Sequence, residues 1–476
     1  MKVFPYVKND QLGKFERRDL PEAPPLRKLL GPSVVLLALG LGSGEYVLWP
    51  NLIAKYGFVC FWAAAVGLLT QFFINMEIER WTLATGESIL VGFSRLSRAW
   101  SWLFLFFVVA PFVWPGWGAG AFKCLSFVTG GSHVWPTIVG LVVIGVVLTL
   151  SPRVYALVER FQVGLIGFKV VALLVMTIPF LTWGLLREWA VGTVSVGRFP
   201  DAPDFEWPLF LAALAYAGLG GVGNIIQSNY IREKGFAMGQ FAQKIVSPFS
   251  GKETAAASVG YQFEGTDENL RKWKDWWRVA NWEHFMSFFL LGLFTMSLLG
   301  WLAYATLYQH PDLGTGVLKE FAFLDLEGRV IGQKYGAFFR VLFYVIGFSI
   351  LFTVQLGVLD LVSRLMTDLI VVTDRRASAN WSESRIYFTV LWTMIGLGVM
   401  ILLSGMSQPR SLLILGACIN ATVMALYTLL LLYCNVKCFD PPVRPSPLRI
   451  GALCWAFLFY GYFAVVTLAS QLKGLS

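Results

Sequence analysis

Apolar residues run along this chain in long stretches separated by short polar connections. Eleven stretches read as helices crossing a lipid bilayer, which takes about 20 residues for a hydrocarbon core of roughly 30 Å. They cover residues 30–56, 57–78, 99–126, 134–151, 155–186, 207–230, 284–307, 337–363, 385–406, 411–436 and 448–472. No run of ten-residue segments alternates apolar and polar positions between turn signals, which is how the strands of a membrane barrel would read. The pattern therefore predicts an all-α integral membrane protein. Residues 1–29 are charged and Pro-rich, where a signal peptide would open with a short basic stretch and an apolar core. They are expected to stay as a cytoplasmic lead-in to a membrane domain of residues 30–476.

Two of the stretches resemble each other. The first reads GLGSGEYVLWPNLIAKYG from Gly40, and the sixth reads GLGGVGNIIQSNYIREKG from Gly218. Each has a glycine cluster, then a polar residue (Glu45, Asn224), a later Asn (Asn51, Asn229) and a closing Gly. Each glycine weakens a helix by about 1 kcal/mol relative to Ala, and a break in lipid is tolerated only where the freed backbone lines an enclosed cavity. Glycine-interrupted spans at matching places in two halves point to the midplane site of a transporter. Close helix packing is the competing explanation for such glycines. The expected architecture is a 5+5 inverted repeat, with repeat one at 30–186, repeat two at 207–436 and an extra helix at 448–472. Unwinding is expected around Gly42 to Gly44 and Gly220 to Gly223.

Composition agrees with the spans: 56% of residues are hydrophobic and 14% charged, whereas a soluble domain carries about 25% charge. The net charge of +9 is explained by topology and not by a nucleic-acid partner. With the N-terminus inside, 27 of the 38 Lys and Arg fall on cytoplasmic segments, as the positive-inside rule requires. An odd number of spans places the C-terminus outside, in a membrane read as a prokaryotic-type plasma membrane. One loop of about fifty residues holds Arg232, Lys234, Lys244, Lys252, Arg271, Lys272, Lys274 and Arg278. Within it RKWKDWWRVANWEH reads as a Trp-rich interfacial anchor. Cys60, Cys124, Cys418, Cys434 and Cys454 sit in or at the ends of apolar spans, and Cys434 with Cys438 lacks a companion pair at zinc spacing. No cofactor is expected.

The chain also resembles the Nramp family of metal-ion transporters over approximately residues 30 to 436. The likeness rests on the order of several motifs: GPS before the first span, QFFINMEIERWTLATGES from Gln71 to Ser88, ALVERFQVGLIGF from Ala156, and MALYTLLLLYCN closing the tenth span. The resemblance implies a LeuT-like fold. The family's metal-binding motifs are altered here. Its DPGN falls on Gly42-Ser43-Gly44-Glu45, and the Met and His of its sixth span fall within Gly221 to Asn224, where neither occurs. Its acidic pair in the third span falls near Pro111 and Trp114, in a span without Asp or Glu.

The candidate site follows from what remains. Glu45 is the carboxylate near the middle of the first span, where an ionisable group costs about 2.5–3.5 kcal/mol on insertion scales and needs a cavity or a partner. It reads as a cation ligand or proton acceptor, or as a structural partner of Lys169 in the fifth span. Ser43, Asn224, Gln227 and the carbonyls around Gly42 and Gly221 would add neutral oxygens, with Asn420 of the tenth span a further candidate. Such a hard, oxygen-only set weakens selection for transition ions and admits Mg or Ca beside Mn and Fe. Na or an organic amine suits it too. Asp360, Arg364 and Asp368 are spaced as helix ion pairs near the inner end. Glu77, Glu79 and Arg80, and Glu159 with Arg160, read as interface anchors, and His133, His284 and His310 are scattered.

No HExxH, GxSxG or P-loop pattern is present, so no enzyme is expected. The expectation is a secondary transporter of a cation, foremost a divalent metal ion such as Mg, Mn, Ca or Fe. A LeuT-like carrier of Na or a small organic substrate, or a non-transporting sensor on the same fold, is the alternative. Lipid and the cation are the expected partners.

Overall fold

The computed structural model describes residues 12, 14–25, 32–131, 134–151, 154–242, 244–245, 260–313, 321–373, 381–405 and 409–473. Lys252, His133 and the Gly31 of GPS lie outside them. Helices dominate. The first span comprises Pro32–Gly40, a break, a widened π-type turn at Gly44–Leu48 and Trp49–Tyr56. The second is Trp62–Thr85, meeting the end of the first at 100°. The third is split into Arg98–Val109 and Gly116–Thr129. Trp135–Leu150 and Val154–Thr177 are the fourth and fifth. The sixth is split into Trp207–Ala215, Val222–Ile225 and Gln227–Lys234. Leu291–Leu307, Ala337–Thr373, Glu383–Leu403, Pro409–Cys438 and Pro447–Lys473 complete the eleven.

Six of these regions are individually long and apolar enough to cross a bilayer. The others are shortened, broken or sharply bent. Local chemistry sets several ends. Pro lies in the first turn of the fourth and sixth spans, where its missing N–H has no helical partner to lose. Ser382 caps the ninth by accepting from the Arg385 amide at 3.2 Å. Gly86, at φ +69°, closes the second.

Two expectations about elements are corrected. The third span is interrupted at Ala110 to Pro115, a stretch that Pro111 and Pro115 keep out of regular helix. The Trp-rich anchor is one helix, Asp267–His284, running directly through a π-type turn at Phe285–Leu290 into the seventh span. Thr266 caps that helix by accepting from Asn269 N at 3.2 Å.

The N-terminal segment and the basic loop share one end of the molecule. Glu16–Arg17 pairs in parallel with Tyr261–Gln262, the Leu20 amide donates to Asn269 Oδ1 at 3.1 Å, and Trp276 Nε1 donates to the Pro21 carbonyl at 2.8 Å. The last helix starts at this basic end, where Arg449 reaches Glu77 at 3.3 Å. Its 27 residues span about 40 Å at 1.5 Å per residue, enough to cross a bilayer.

Candidate functional site

The breaks in the first and sixth spans lie backbone against backbone. A β-carbon on Gly40 would sit 3.1 Å from the Gly218 carbonyl carbon, and one on Gly44 would overlap the Tyr216 carbonyl. Glycine thus serves two purposes here, permitting the break and permitting this approach. In the first span the helix is interrupted at Leu41–Gly42, where Gly42 N bonds back only to Gly40 O at 2.7 Å. Regular bonding then resumes, with Tyr46 N donating to Gly42 O at 2.9 Å. The sixth span is open from Tyr216 to Gly221, with Gly220 at φ +70° and Gly221 at φ +56°. Helix restarts at Val222, so Gly223 lies inside it and not in the break.

Side chains satisfy the polar groups freed in the sixth span. Gln71 of the second span donates to Ala215 O at 2.9 Å and accepts from Gly220 N at 3.1 Å. Asn224 Oδ1 also accepts from Gly220 N, at 3.1 Å. Asn420 Oδ1 accepts from Val222 N at 3.0 Å, and its amide donates to Tyr216 OH at 3.1 Å. Tyr427 OH donates to Gly221 O at 2.9 Å. Burying an amide without a partner costs about 1–3 kcal/mol, so these contacts hold the break in its shape. Gln71, Tyr216 and Tyr427 were not singled out from sequence. For Gln71 a signal existed, a carboxamide in the middle of an apolar span.

Where the breaks cross, a cavity of about 10 Å³ is lined by Gly40, Ser43, Gly44, Phe112, Trp117, Tyr216, Gly218, Leu219, Val354 and Val358. That is space for roughly one water. Ser43 Oγ accepts from Trp117 Nε1 at 3.1 Å. The third span's break supplies Phe112, between Pro111 and Trp114, where the family resemblance places an acidic pair.

Glu45 is not part of this lining. It is fully buried, and neither carboxylate oxygen has a hydrogen-bond partner. Thr295 of the seventh span lies beside it, with its hydroxyl also 3.0 and 3.1 Å from the carbonyls of Leu291 and Gly292. Lys169 is also fully buried and interacts electrostatically with Glu45. Its hydrogen bond, however, goes to Thr353 Oγ1 of the eighth span at 2.8 Å. The anticipated partner is therefore near Glu45 without touching it.

The seven candidate residues do not converge on one point. Gly42, Ser43 and Gly221 belong to the crossing, and Asn224 and Asn420 brace the sixth-span break. Gln227 is directed toward the basic end, donating to Glu79 Oε1 at 2.7 Å and Ser33 Oγ at 3.1 Å. A thioether does stand near the break. Met424 Sδ accepts from Asn224 Nδ2 at 3.5 Å.

Charged residues tie the spans together at the basic end. Arg364 bonds Asp360 at 2.9 and 3.0 Å and reaches Glu233 of the sixth span at 2.6 Å. Asp360 also accepts from Tyr387 OH at 2.7 Å. Asp368, expected in the same helical ladder, instead pairs with Arg232 at 3.0 Å and Asn229 at 2.8 Å. Glu77 and Arg80, expected as interface anchors, are buried and paired at 2.7 Å, with Arg80 also donating to Val443 O at 2.6 Å. Glu79 is likewise buried, and Glu159 pairs with Lys234 at 2.5 Å.

No protein-family model matches the chain, and no curated protein matches it in sequence. Solved structures of the manganese transporter of Eremococcus coleocola are similar in shape. A mutant of that protein aligns with a TM-score of 0.68 at 12% identity, over 98% of this chain and 92% of that one. Its complex with an aromatic bis-isothiourea substituted compound gives 0.67 at 13% identity, over 99% and 92%. The chain thus has the all-α, LeuT-like fold of two five-helix halves with an eleventh helix.

Proposed function

We propose that the chain is a secondary transporter that carries a small cation, foremost a divalent metal ion such as Mg, Mn, Ca or Fe, by alternating access about the crossing of its two broken helices. The observation that carries the reading is Glu45, wholly buried with neither oxygen hydrogen-bonded. A buried carboxylate with a lysine nearby but no direct contact is costly, and a cation bound against it would supply that contact. The crossing gives the two halves a point to rock about, and the Arg364 and Arg232 pairs close the basic end in this conformation. That end is the cytoplasmic one by the charge rule. The similarity in fold to a manganese transporter accords with this reading.

The lining of the crossing supports a second reading. Phe112, Trp117 and Tyr216 present rings around Ser43 with no carboxylate among them, a chemistry that would suit an organic amine through cation–π contact once rocking of the halves opens this one-water space. Calorimetric titration of the purified protein with Mg, Ca, Mn, Cd, Na and small amines, followed by uptake in liposomes, separates the two. Mg, Ca or Mn should bind better than Cd, because the site offers oxygen and no thiolate. Glu45→Gln should weaken the bound cation about ten- to a hundredfold, the loss of one charge-assisted contact. Unchanged affinity in a folded Glu45→Gln protein would return Glu45 to a structural role beside Lys169.

A further inference from the structure

A second buried polar feature runs from the sixth-span break to the basic end. Gln71, Asn75 and Glu79 are spaced four apart on the second span, so they share one helix face, and all are buried. At the upper end of this stripe Gln71 Oε1 accepts from Gly220 N and, at 3.3 Å, from Asn224 Nδ2. At the lower end Glu79 accepts from Gln227 Nε2 at 2.7 Å and lies 3.3 Å from His284 Nδ1. Asn224 and Gln227 are three apart on the facing helix. Asn75 therefore sits between two points where the second and sixth spans meet through polar groups.

Among the described residues, several atoms along this stripe have no partner. Both amide atoms of Asn75, Gln227 Oε1 and His284 Nε2 are buried without a hydrogen bond. Buried polar groups are almost always satisfied, and apolar residues would fill such positions at lower cost. Unpartnered donors and acceptors in sequence along one seam suit a route that water and a cation occupy in turn. The charged groups around its lower end favour a cation. Glu79 faces Glu283 and His284 from the seventh span, with Glu77 and Arg80 on its own helix and Arg449 on the eleventh. Ser33 joins the group, accepting from Gln227 and donating to Glu283.

We propose that Gln71, Asn75 and Glu79, faced by Asn224, Gln227 and His284, line a hydrated path along which the cargo passes between the crossing and the basic end, with Glu79 as its carboxyl station. The cargo rests on the transport reading above; the existence of the path does not. In this conformation the Gln227–Glu79 hydrogen bond closes it. The path is distinct from Glu45, whose neighbours are Lys169 of the fifth span and Thr295 of the seventh.

Thiol labelling tests the path without knowledge of the cargo. Asn75→Cys and Met76→Cys, the latter equally buried one residue on, are exposed in sealed vesicles of each orientation to an impermeant cationic methanethiosulfonate. Modification at each position is read by mass spectrometry. Residue 75 should react at least tenfold faster than residue 76, and only from the basic end. Equal rates, no reaction at 75, or reaction only from the opposite end would overturn the path. Asn75→Leu supplies the second arm. It removes two unpartnered atoms, so its melting temperature should not fall, its cation affinity should match that of the unaltered protein, and its uptake should drop at least tenfold. Uptake at the original rate in Asn75→Leu refutes the path. Failure of the unaltered protein to bind or move any cation refutes the transport reading, and the labelling result then decides the path by itself.

Discussion

Gly44 has no room for a side chain, because its α-carbon lies against the Tyr216 carbonyl. Gly164, in the fifth span, has nothing within 4 Å of where a β-carbon would go. Gly44→Ala should therefore lower the thermal midpoint in detergent by the equivalent of about 1–3 kcal/mol or more, the usual cost of overpacking. Gly164→Ala should leave it unchanged or raise it slightly, since Ala favours helix. Equal behaviour of the two variants would mean that the backbones do not meet at the crossing. The glycine cluster was legible in the sequence, but its contact partner was not. The same holds for Asn224: it accepts from Gly220 N within its own span, but the partners of its amide nitrogen, Gln71 and Met424, arrive from other spans.

Helices that move against one another need contacts that can be made and released, and the ion pairs between the sixth and eighth spans have that character. Arg364 is buried between Asp360 and Glu233. Removing one member of a buried charge cluster leaves the others uncompensated, at about 3–5 kcal/mol. Arg364→Met should lower the melting temperature markedly and increase protease or thiol access at the basic end. Arg271→Ala, which removes an exposed pair with Glu22, should change little, because exposed pairs contribute about 0–1 kcal/mol. A melting temperature unaffected by Arg364→Met would show that the cluster does not hold this conformation closed. From spacing alone, Asp360, Arg364 and Asp368 form one ladder along the eighth span. The fold divides them, since Arg232 approaches Asp368 from the sixth span and is the better placed partner.

Across the whole molecule, the pairing of Glu16–Arg17 with Tyr261–Gln262 places the N-terminal segment and the basic loop together. The eleventh helix carries the chain away from them. An impermeant amine reagent applied to oriented vesicles should therefore modify Lys274 and Lys473 from opposite sides. Modification of both from one side would contradict the eleven-span topology and the closed basic end with it.

The number and order of the spans, the all-helical class, the two glycine breaks and the loops that carry positive charge are all legible along the chain. Each of these depends on local composition, on the length needed to cross a bilayer and on the cost of exposed backbone in lipid, all readable one segment at a time. Which polar side chains meet depends on how the helices pack in three dimensions. Helical periodicity assigns Asn224 and Gln227 to one face, yet Asn224 closes the break and Gln227 joins Glu79 and Ser33. Glu45 and Lys169 were matched by charge, yet the lysine bonds Thr353. The reason is that a buried polar group is satisfied by whatever donor or acceptor another helix brings within about 3 Å, and that distance is set by how the helices pack and cross.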